Sequence, residues 1–330
     1  MATDRQATAR AHSNIAFIKY WGNVDDDLRL PANPSISMNL DALYTETTVT
    51  WDDSLSADML RLNDQPESGG ALERVSRHLD IVRQRLNISA SARVASRNNF
   101  PMGAGIASSA SAFAALTLAA VTAGGATLSE RELTTLARRG SGSASRSIPA
   151  GFVQWEAGID HETSYAHSVA APEHWDLTDI VAIVSADHKA VGSTHGHTSA
   201  GTSDLQAGRL RGASARLEAV RQAIASRDFR AFAETVEHDS NLMHAVMMTS
   251  RPPLFYWHPA SLTLMGAVRQ WRAEGLDVCY TLDAGPNVHC ICTTAHAPEV
   301  RRRLEALDIA AEGMIDILQA GVGGGAQVLD

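Results

Sequence analysis

The sequence predicts two lobes built from both strands and helices. Three observations carry that expectation. A chain of 330 residues is long for a single hydrophobic core, so it divides. Tyr44 to Trp51 alternates apolar and polar side chains, the period of a half-buried antiparallel strand. Ala71 to Leu86 instead spaces Leu72, Val75, Leu79 and Val82 along one helical face.

Composition narrows the function. A net charge of −9 argues against nucleic acid as the main partner, yet a pocket with local cations can still take a small anion. No apolar run reaches the roughly 20 residues of a membrane span, and Met1 to Arg5 lacks the apolar core of a signal peptide. No membrane association is therefore expected. Cys279, Cys290 and Cys292 cannot form a disulfide framework, and the last two sit in an alternating run, as buried strand thiols do. A reducing, cytoplasmic location follows.

In order, Ala7 to Ala11 reads as a first strand and leads into His12-Ser13-Asn14-Ile15-Ala16-Phe17-Ile18-Lys19-Tyr20-Trp21-Gly22. A lysine in that company is desolvated unless an anion pairs with it, or else it snorkels to the surface. Leu30 to Leu40 is a turn followed by alternation, and Asp52 to Gly70 is polar and turn-rich. After the strand Ala92 to Asn99 comes Pro101-Met102-Gly103-Ala104-Gly105-Ile106-Ala107-Ser108-Ser109-Ala110, opening a helix from Ser109 to about Val121. Gly103 and Gly105 let backbone approach a ligand, and the helix start presents unpaired N–H groups. Such a place cradles phosphate, with Ser108 and Ser109 adding hydroxyls for a phosphate oxygen or a metal ion. The plain alternative is an N-cap on a core helix.

Ser129 to Arg139 reads as a helix with an N-cap serine. Gly140-Ser141-Gly142-Ser143-Ala144-Ser145-Arg146-Ser147 is either a flexible linker or a second anion-binding loop with a forked guanidinium. The buried character of Gly151 to Trp155 directly after it favours an ordered loop. Ile180 to Ala186 is a strand. His195 and His197 suggest a metal, but no third ligand is fixed by spacing. Helices are expected over Leu205 to Ser226, Phe229 to Met247, Pro259 to Arg272 and Pro298 to Leu307. In the second, Glu237, Asp239, Asn241 and His244 mark a solvated face or a cleft wall. Asp277 to Leu282 and Val288 to Thr293 read as a hairpin-like pair with Asp283 at its tip, either facing a cleft or bonding its own turn. Gly321 to Gly325 marks a close-approach strand junction.

Taken together, four segments resemble the mevalonate diphosphate decarboxylases of the GHMP kinase superfamily: Asn14 to Gly22, Asn98 to Ser111, Gly140 to Ser147, and Asp283-Ala284-Gly285-Pro286-Asn287. Gly192-Ser193-Thr194 and Asp239-Ser240-Asn241 match more weakly. The resemblance spans nearly the whole chain in order. It implies an α+β, two-lobed GHMP kinase-type fold with the active-site cleft between the lobes, residues 1–185 forming an ATP-binding lobe and 186–330 a C-terminal lobe. It implies ATP on Asn98, Gly103, Ala104, Gly105, Ser108 and Ser109, with Mg2+ held partly by the phosphates and by Ser108. Asp283 then corresponds to the catalytic aspartate near the substrate's tertiary hydroxyl, and Lys19 to the lysine beside it. Ser108 joins that catalytic set, and Arg146 corresponds to the arginine that holds the substrate carboxylate. Asn14, Tyr20, Ser141, Ser143 and Ser193 resemble substrate-binding positions. A homodimer is expected, with a phosphorylated mevalonate as the small-molecule partner.

Three positions depart from the family pattern. His12-Ser13 replaces Pro-Val, Ile148-Pro149-Ala150 differs from the usual aromatic-glycine continuation, and Asn23 stands where the diphosphate decarboxylases usually carry lysine. The lost cation points to mevalonate 5-phosphate as substrate and isopentenyl phosphate as product. The alternatives are mevalonate 5-diphosphate decarboxylation, a mevalonate 3-kinase without decarboxylation, and a non-catalytic anion-binding protein.

Overall fold

In the computed structural model, residues 5–100, 108–185, 193–307 and 316–329 are described. The first half runs β1 (Gln6–Ile18), a short hairpin of β2 (Asn23–Asp25) and β3 (Leu30–Pro31), β4 (Ser35–Asp52), β5 (Met59–Leu62), β6 (Gln65–Glu67), α1 (Gly70–Leu86), β7 (Ser91–Asn98), α2 (Ser108–Ala123), α3 (Glu130–Gly140), a 3-10 segment (Gly142–Ser147), β8 (Phe152–Trp155) and β9 (Ala166–Ala170). The second half runs β10 (Leu177–Ile183), α4 (Ser193–Ser199), α5 (Gln206–Arg211), α6 (Ala213–Ser226), α7 (Phe229–Thr249), α8 (Pro259–Ala273), β11 (Val278–Thr281), β12 (Val288–Thr293), α9 (Ala297–Ala306), β13 (Asp316–Gly321) and β14 (Gln327–Leu329).

The larger sheet has the order β14-β1-β4-β7-β5-β6, with β8 pairing β4 and β9 pairing β8. β4 is longer than its clear alternation suggests. Its first residues pair with β8 and its last eight with β7, so one strand serves two neighbours. The second sheet, β11-β12-β10-β13, is antiparallel throughout. β10 thus belongs to the second sheet, although it precedes the division expected at 185/186. The chain's last stretch also divides. β13 completes the second sheet while β14 returns to pair β1. Between them a Cβ on Gly323 would stand 2.8 Å from the Asp41 nitrogen, which is the close approach the glycine run foretells.

Among the described residues the three largest of five apolar clusters hold these layers. α2 is buried on nearly all sides because alanine, phenylalanine and leucine surround its axis, and it packs with α1 and α3 on the large sheet. α8 and α9 cover one face of the second sheet. The third core lies between the lobes, where Ile15 and Phe17 of β1 meet Val181, Ile291 and Phe232. α3 starts as its sequence indicates, with Ser129 and Glu132 forming a reciprocal capping box. The helix expected over Leu205 to Ser226 is broken at Gly212 into α5 and α6.

Candidate active site

The strand β1 ends at Ile18, and the next residue carries its side chain into the space between the lobes. Lys19 is fully buried, and its Nζ donates to Asp283 Oδ1 at 2.7 Å. Asp283 follows β11 and keeps 25% of its side chain exposed, so one partner is sealed and the other faces the cleft. Its loop is pinned on both sides. The Leu282 N–H donates to Ser240 Oγ at 3.0 Å, and Asn287 Oδ1 accepts from the Val184 and Ser185 N–H groups. The cleft-facing reading of Asp283 is therefore the one the geometry supports. Burial disfavours its charge, but Lys19, then His289 and Arg146, outweigh that and hold the carboxyl below its usual range. Burial likewise lowers Lys19, against the pull of Asp283 and Asp239.

The serine-rich loop is an ordered, buried 3-10 segment rather than a linker. Arg146 is buried within it. Its Nε donates to Ser37 Oγ at 3.1 Å, one terminal nitrogen to Ser35 Oγ at 2.7 Å, and the other to Asn14 Oδ1 at 3.2 Å. A guanidinium has five N–H donors, so both terminal nitrogens keep a further N–H for a ligand. Burial lowers Arg146 to about 10, opposed by Asp283 and Tyr20, and it stays cationic at neutral pH. Asn14 completes the arrangement by donating to Ser147 Oγ at 2.8 Å and to the Ser143 carbonyl at 3.2 Å.

Tyr20 stacks on His197 at 4.1 Å between ring centroids and meets Trp155 edge-on at 4.7 Å. Its hydroxyl donates to Asn23 Oδ1 at 2.5 Å, and burial raises the phenol to about 12. His197 Nδ1 accepts the Gly22 N–H at 3.0 Å. That bond requires a neutral ring, consistent with burial and then Arg29, Arg209 and Arg146 lowering His197 to about 3. His197 thus braces Tyr20 and Trp21. Among the described residues no group of three His, Cys, Asp or Glu is placed to hold a metal ion. All three cysteines are buried and free.

Ser109 lies on the first turn of α2 with its Oγ 3.1 Å from Ser141 Oγ, which is 3.5 Å from Ser143 Oγ, so the two serine-bearing segments adjoin. Ser108 is half-buried at the head of the same helix. Asn98 Oδ1 accepts from Thr45 Oγ1 at 2.7 Å, and Thr45 in turn lies 2.7 Å from Ser111 Oγ. Gly103, Ala104 and Gly105 fall outside the described residues, as does the side chain of Ser193, although α4 begins at that residue.

Sequence reasoning missed Arg74, which joins Arg29 in a group of arginines. Arg74 on α1 is half-buried with its guanidinium over the Phe113 ring, donates to the Gly140 carbonyl at 3.1 Å, and has a buried Nε without a partner among the described residues. Burial, then Arg29 and Arg77, lower it to about 10. Arg29 feels Tyr20, Arg77 and Arg139, and its Nε donates to the Arg139 carbonyl at 3.0 Å. Mutually repelling cations gather beside Tyr20 and Gly140. On an amphipathic helix, an arginine at position 74 carries no signal that separates it from a solvated one.

An α+β chain with one mixed and one antiparallel sheet, an ordered serine loop at a helix start and a lysine–aspartate pair between the lobes has the makings of a small-molecule phosphotransfer or decarboxylation enzyme. Comparison with known proteins narrows that class. Residues 11–166 match the diphosphomevalonate decarboxylase-like N-terminal domain, and 179–319 the mevalonate 5-diphosphate decarboxylase C-terminal domain. The chain is 40% identical over 298 residues to the diphosphomevalonate decarboxylase of Candida albicans (85% of this chain, 82% of the relative). It is 39% identical over 304 residues to the one from Homo sapiens (85% and 75%). The mevalonate diphosphate decarboxylase structure from Staphylococcus aureus superposes with a TM-score of 0.93 at 38% identity, covering 98% of each chain. A solved chain designated MDDEF, in complex with MVAPP, AMPPCP and magnesium, superposes with a TM-score of 0.92 at 38% identity, covering 98% of this chain and 99% of its own. The chain belongs to the diphosphomevalonate decarboxylase family, with its GHMP kinase-type fold, and is a decarboxylase of the mevalonate pathway. Among the described residues no helix is long and apolar enough to cross a membrane.

Proposed function

We propose that the chain uses ATP and Mg2+ to phosphorylate the C3 hydroxyl of mevalonate 5-diphosphate and then releases phosphate and CO2, leaving isopentenyl diphosphate. The observation that carries this reading is the buried Lys19 paired at 2.7 Å with a cleft-facing Asp283. A tertiary hydroxyl leaves poorly, and phosphorylation makes it a leaving group. Asp283 accepts the hydroxyl proton as the new O–P bond forms, and Lys19 keeps that carboxylate ionised. When the C3–O bond breaks, the electron pair of the bond to the carboxylate carbon becomes the alkene and CO2 departs. Arg146, its guanidinium fixed by Ser35, Ser37 and Asn14, holds the carboxylate until then.

The nucleotide phosphates would lie at the start of α2, against Ser108 and Ser109, with Asn98 nearby. Ser108, at the head of α2, would hold Mg2+ together with the nucleotide phosphates. When bound, the ion would neutralise charge on the transferring phosphoryl group. Ser141, Ser143, Ser193 and Tyr20 line the substrate.

The monophosphate reading drawn from Asn23 gives way to the diphosphate. The relatives carry the diphosphate name. Asn23 is engaged by Tyr20 and donates to Asp26 Oδ1 at 2.7 Å, whereas Arg29, in the turn of the same hairpin, supplies positive charge beside Tyr20, and Arg74 of α1 lies near Arg29. An arginine group with an unpartnered buried N–H suits a second phosphate. The test is kcat/KM on mevalonate 5-phosphate and 5-diphosphate with products identified. A preference for the diphosphate is expected, and a preference for the monophosphate would return Asn23 to the centre of specificity. The expected homodimer rests on the family resemblance and is read by light scattering.

A further inference from the structure

Lys19 lies one residue beyond β1, where the sheet no longer satisfies the backbone. The polar groups of residues 19 to 22 must find other partners or be buried at a cost. Asn33 donates to the Lys19 carbonyl at 3.0 Å and the Ala32 N–H to the Gly22 carbonyl at 3.0 Å, and further partners come from the second half of the chain. The Lys19 N–H donates to Asp239 Oδ2 at 2.7 Å. The Lys19 carbonyl accepts from Arg209 at 2.6 Å, and the Trp21 carbonyl from Arg209 at 3.1 Å and Gln206 at 3.1 Å. Asp239 and Arg209 are almost wholly buried. The other Asp239 oxygen accepts from Arg216 Nε at 2.7 Å, and Arg216 also reaches the Arg209 carbonyl at 2.8 Å.

The next residue on the same helix holds the opposite partner. Ser240 Oγ accepts the Leu282 N–H at 3.0 Å, immediately before Asp283. One turn further along, His244 lies against Leu282 and Asp283 and stacks on Trp257. Two consecutive side chains of α7 therefore grip the two strands whose tips carry Lys19 and Asp283. Apolar packing would join the lobes at less desolvation cost than buried charges do. What apolar packing would not supply is a directional bond at each tip.

We propose that Asp239 and Ser240 are positioning residues that register Lys19 against Asp283, with Arg209 and Arg216 as their support. This rests on the reading of Lys19 and Asp283 as the catalytic pair. Asp239 has a second effect because its carboxylate is the other negative charge near the Lys19 ammonium. The charged and titratable groups around Lys19 are Asp283 from the loop after β11, Asp239 and His244 from α7, and Arg146 from the serine loop. Arg209 of α5 and Arg216 of α6 lie beyond Asp239. Burial, with Lys19 close by, lowers His244 to about 3, so it stays neutral across the working range.

The experiment compares pH–rate profiles, kcat and KM for Asp239→Asn, Asp239→Ala and Ser240→Ala, with Lys19→Met as reference and nucleotide titration as the check of folding. Asp239→Asn keeps an acceptor oxygen and loses the charge. Its alkaline limb is expected to move to lower pH by on the order of one unit, the effect of removing a nearby opposite charge. Asp239→Ala loses the bond as well, and kcat is expected to fall roughly 100-fold, the cost of a small misplacement of reacting groups, with the KM for ATP little changed. Ser240→Ala is expected to lower kcat without moving the limb. If Asp239→Ala does not fold, the Asn and Ser240 variants still decide. Loss of stability in Asp239→Asn with wild-type kcat and an unmoved limb overturns the proposal while leaving Lys19 in place. A Lys19→Met enzyme with wild-type turnover overturns the underlying reading instead.

Discussion

Replacing Lys19 by methionine removes the ammonium and keeps nearly the same volume. In the wild type Lys19 Nζ sits 2.7 Å from Asp283 Oδ1, and Lys19 has no exposed surface through which water could take its place. One charge-assisted hydrogen bond contributes about 1.5–3 kcal/mol. If it acts in the transition state, kcat/KM falls roughly 10- to 150-fold. The sign of the pH effect follows from the balance at Asp283, where burial raises its pKa and Lys19 is the foremost of the groups that lower it. Without Lys19 burial gains the upper hand, so the acid limb of the pH–rate profile moves to higher pH. Steady-state kinetics from pH 5 to 9, with nucleotide binding to confirm folding, reads both effects. Turnover within about 3-fold of wild type and an unmoved acid limb would refute the reasoning.

Three further outcomes follow from the same geometry. Arg146→Lys keeps the charge but cannot reach Ser35, Ser37 and Asn14 at once, so kcat/KM is expected to fall at least roughly 10-fold, and near-normal kinetics would remove the fork from the site. Arg74→Met is expected to raise KM for mevalonate 5-diphosphate about 10-fold or more and to affect the 5-phosphate less. An unchanged ratio between the two substrates would place Arg74 outside the specificity contacts. In Gly142→Ala the new Cβ would stand 2.5 Å from Tyr20 Cε1. Overpacking of about 1–3 kcal/mol and weaker substrate binding are expected, measured by thermal unfolding and KM.

Local features were the most legible in the sequence. The capping box at Ser129, the helix spacing of Ala71 to Leu86 and the antiparallel pair around Asp283 depend on neighbouring residues, and each forms as its pattern indicates. The family motifs brought Lys19, Arg146 and Asp283 together although the first and last lie 264 positions apart, a juxtaposition no spacing rule supplies. What stayed hidden depends on tertiary placement. Alternation in β4 could not show that its two ends serve different neighbours. The break at Gly212 turns on packing as well as propensity, and its helical flanks read as one continuous pattern. Asn23 suggested a missing cation because it stands where the resembled family usually carries lysine, with Asp25, Asp26 and Asp27 directly after it. Arg74, which we propose compensates for it, arrives from a helix some fifty positions away and reads locally as a polar-face residue.

The most direct measurement is product stoichiometry from mevalonate 5-diphosphate and ATP, for the wild type and Asp283→Asn. For the wild type, ADP, phosphate, CO2 and isopentenyl diphosphate are expected in equal amounts. For Asp283→Asn, turnover is expected to be nearly abolished while ATP still binds. ADP formed without CO2 would show phosphorylation uncoupled from decarboxylation, and full turnover in the folded Asp283→Asn protein would contradict the role assigned to that carboxylate.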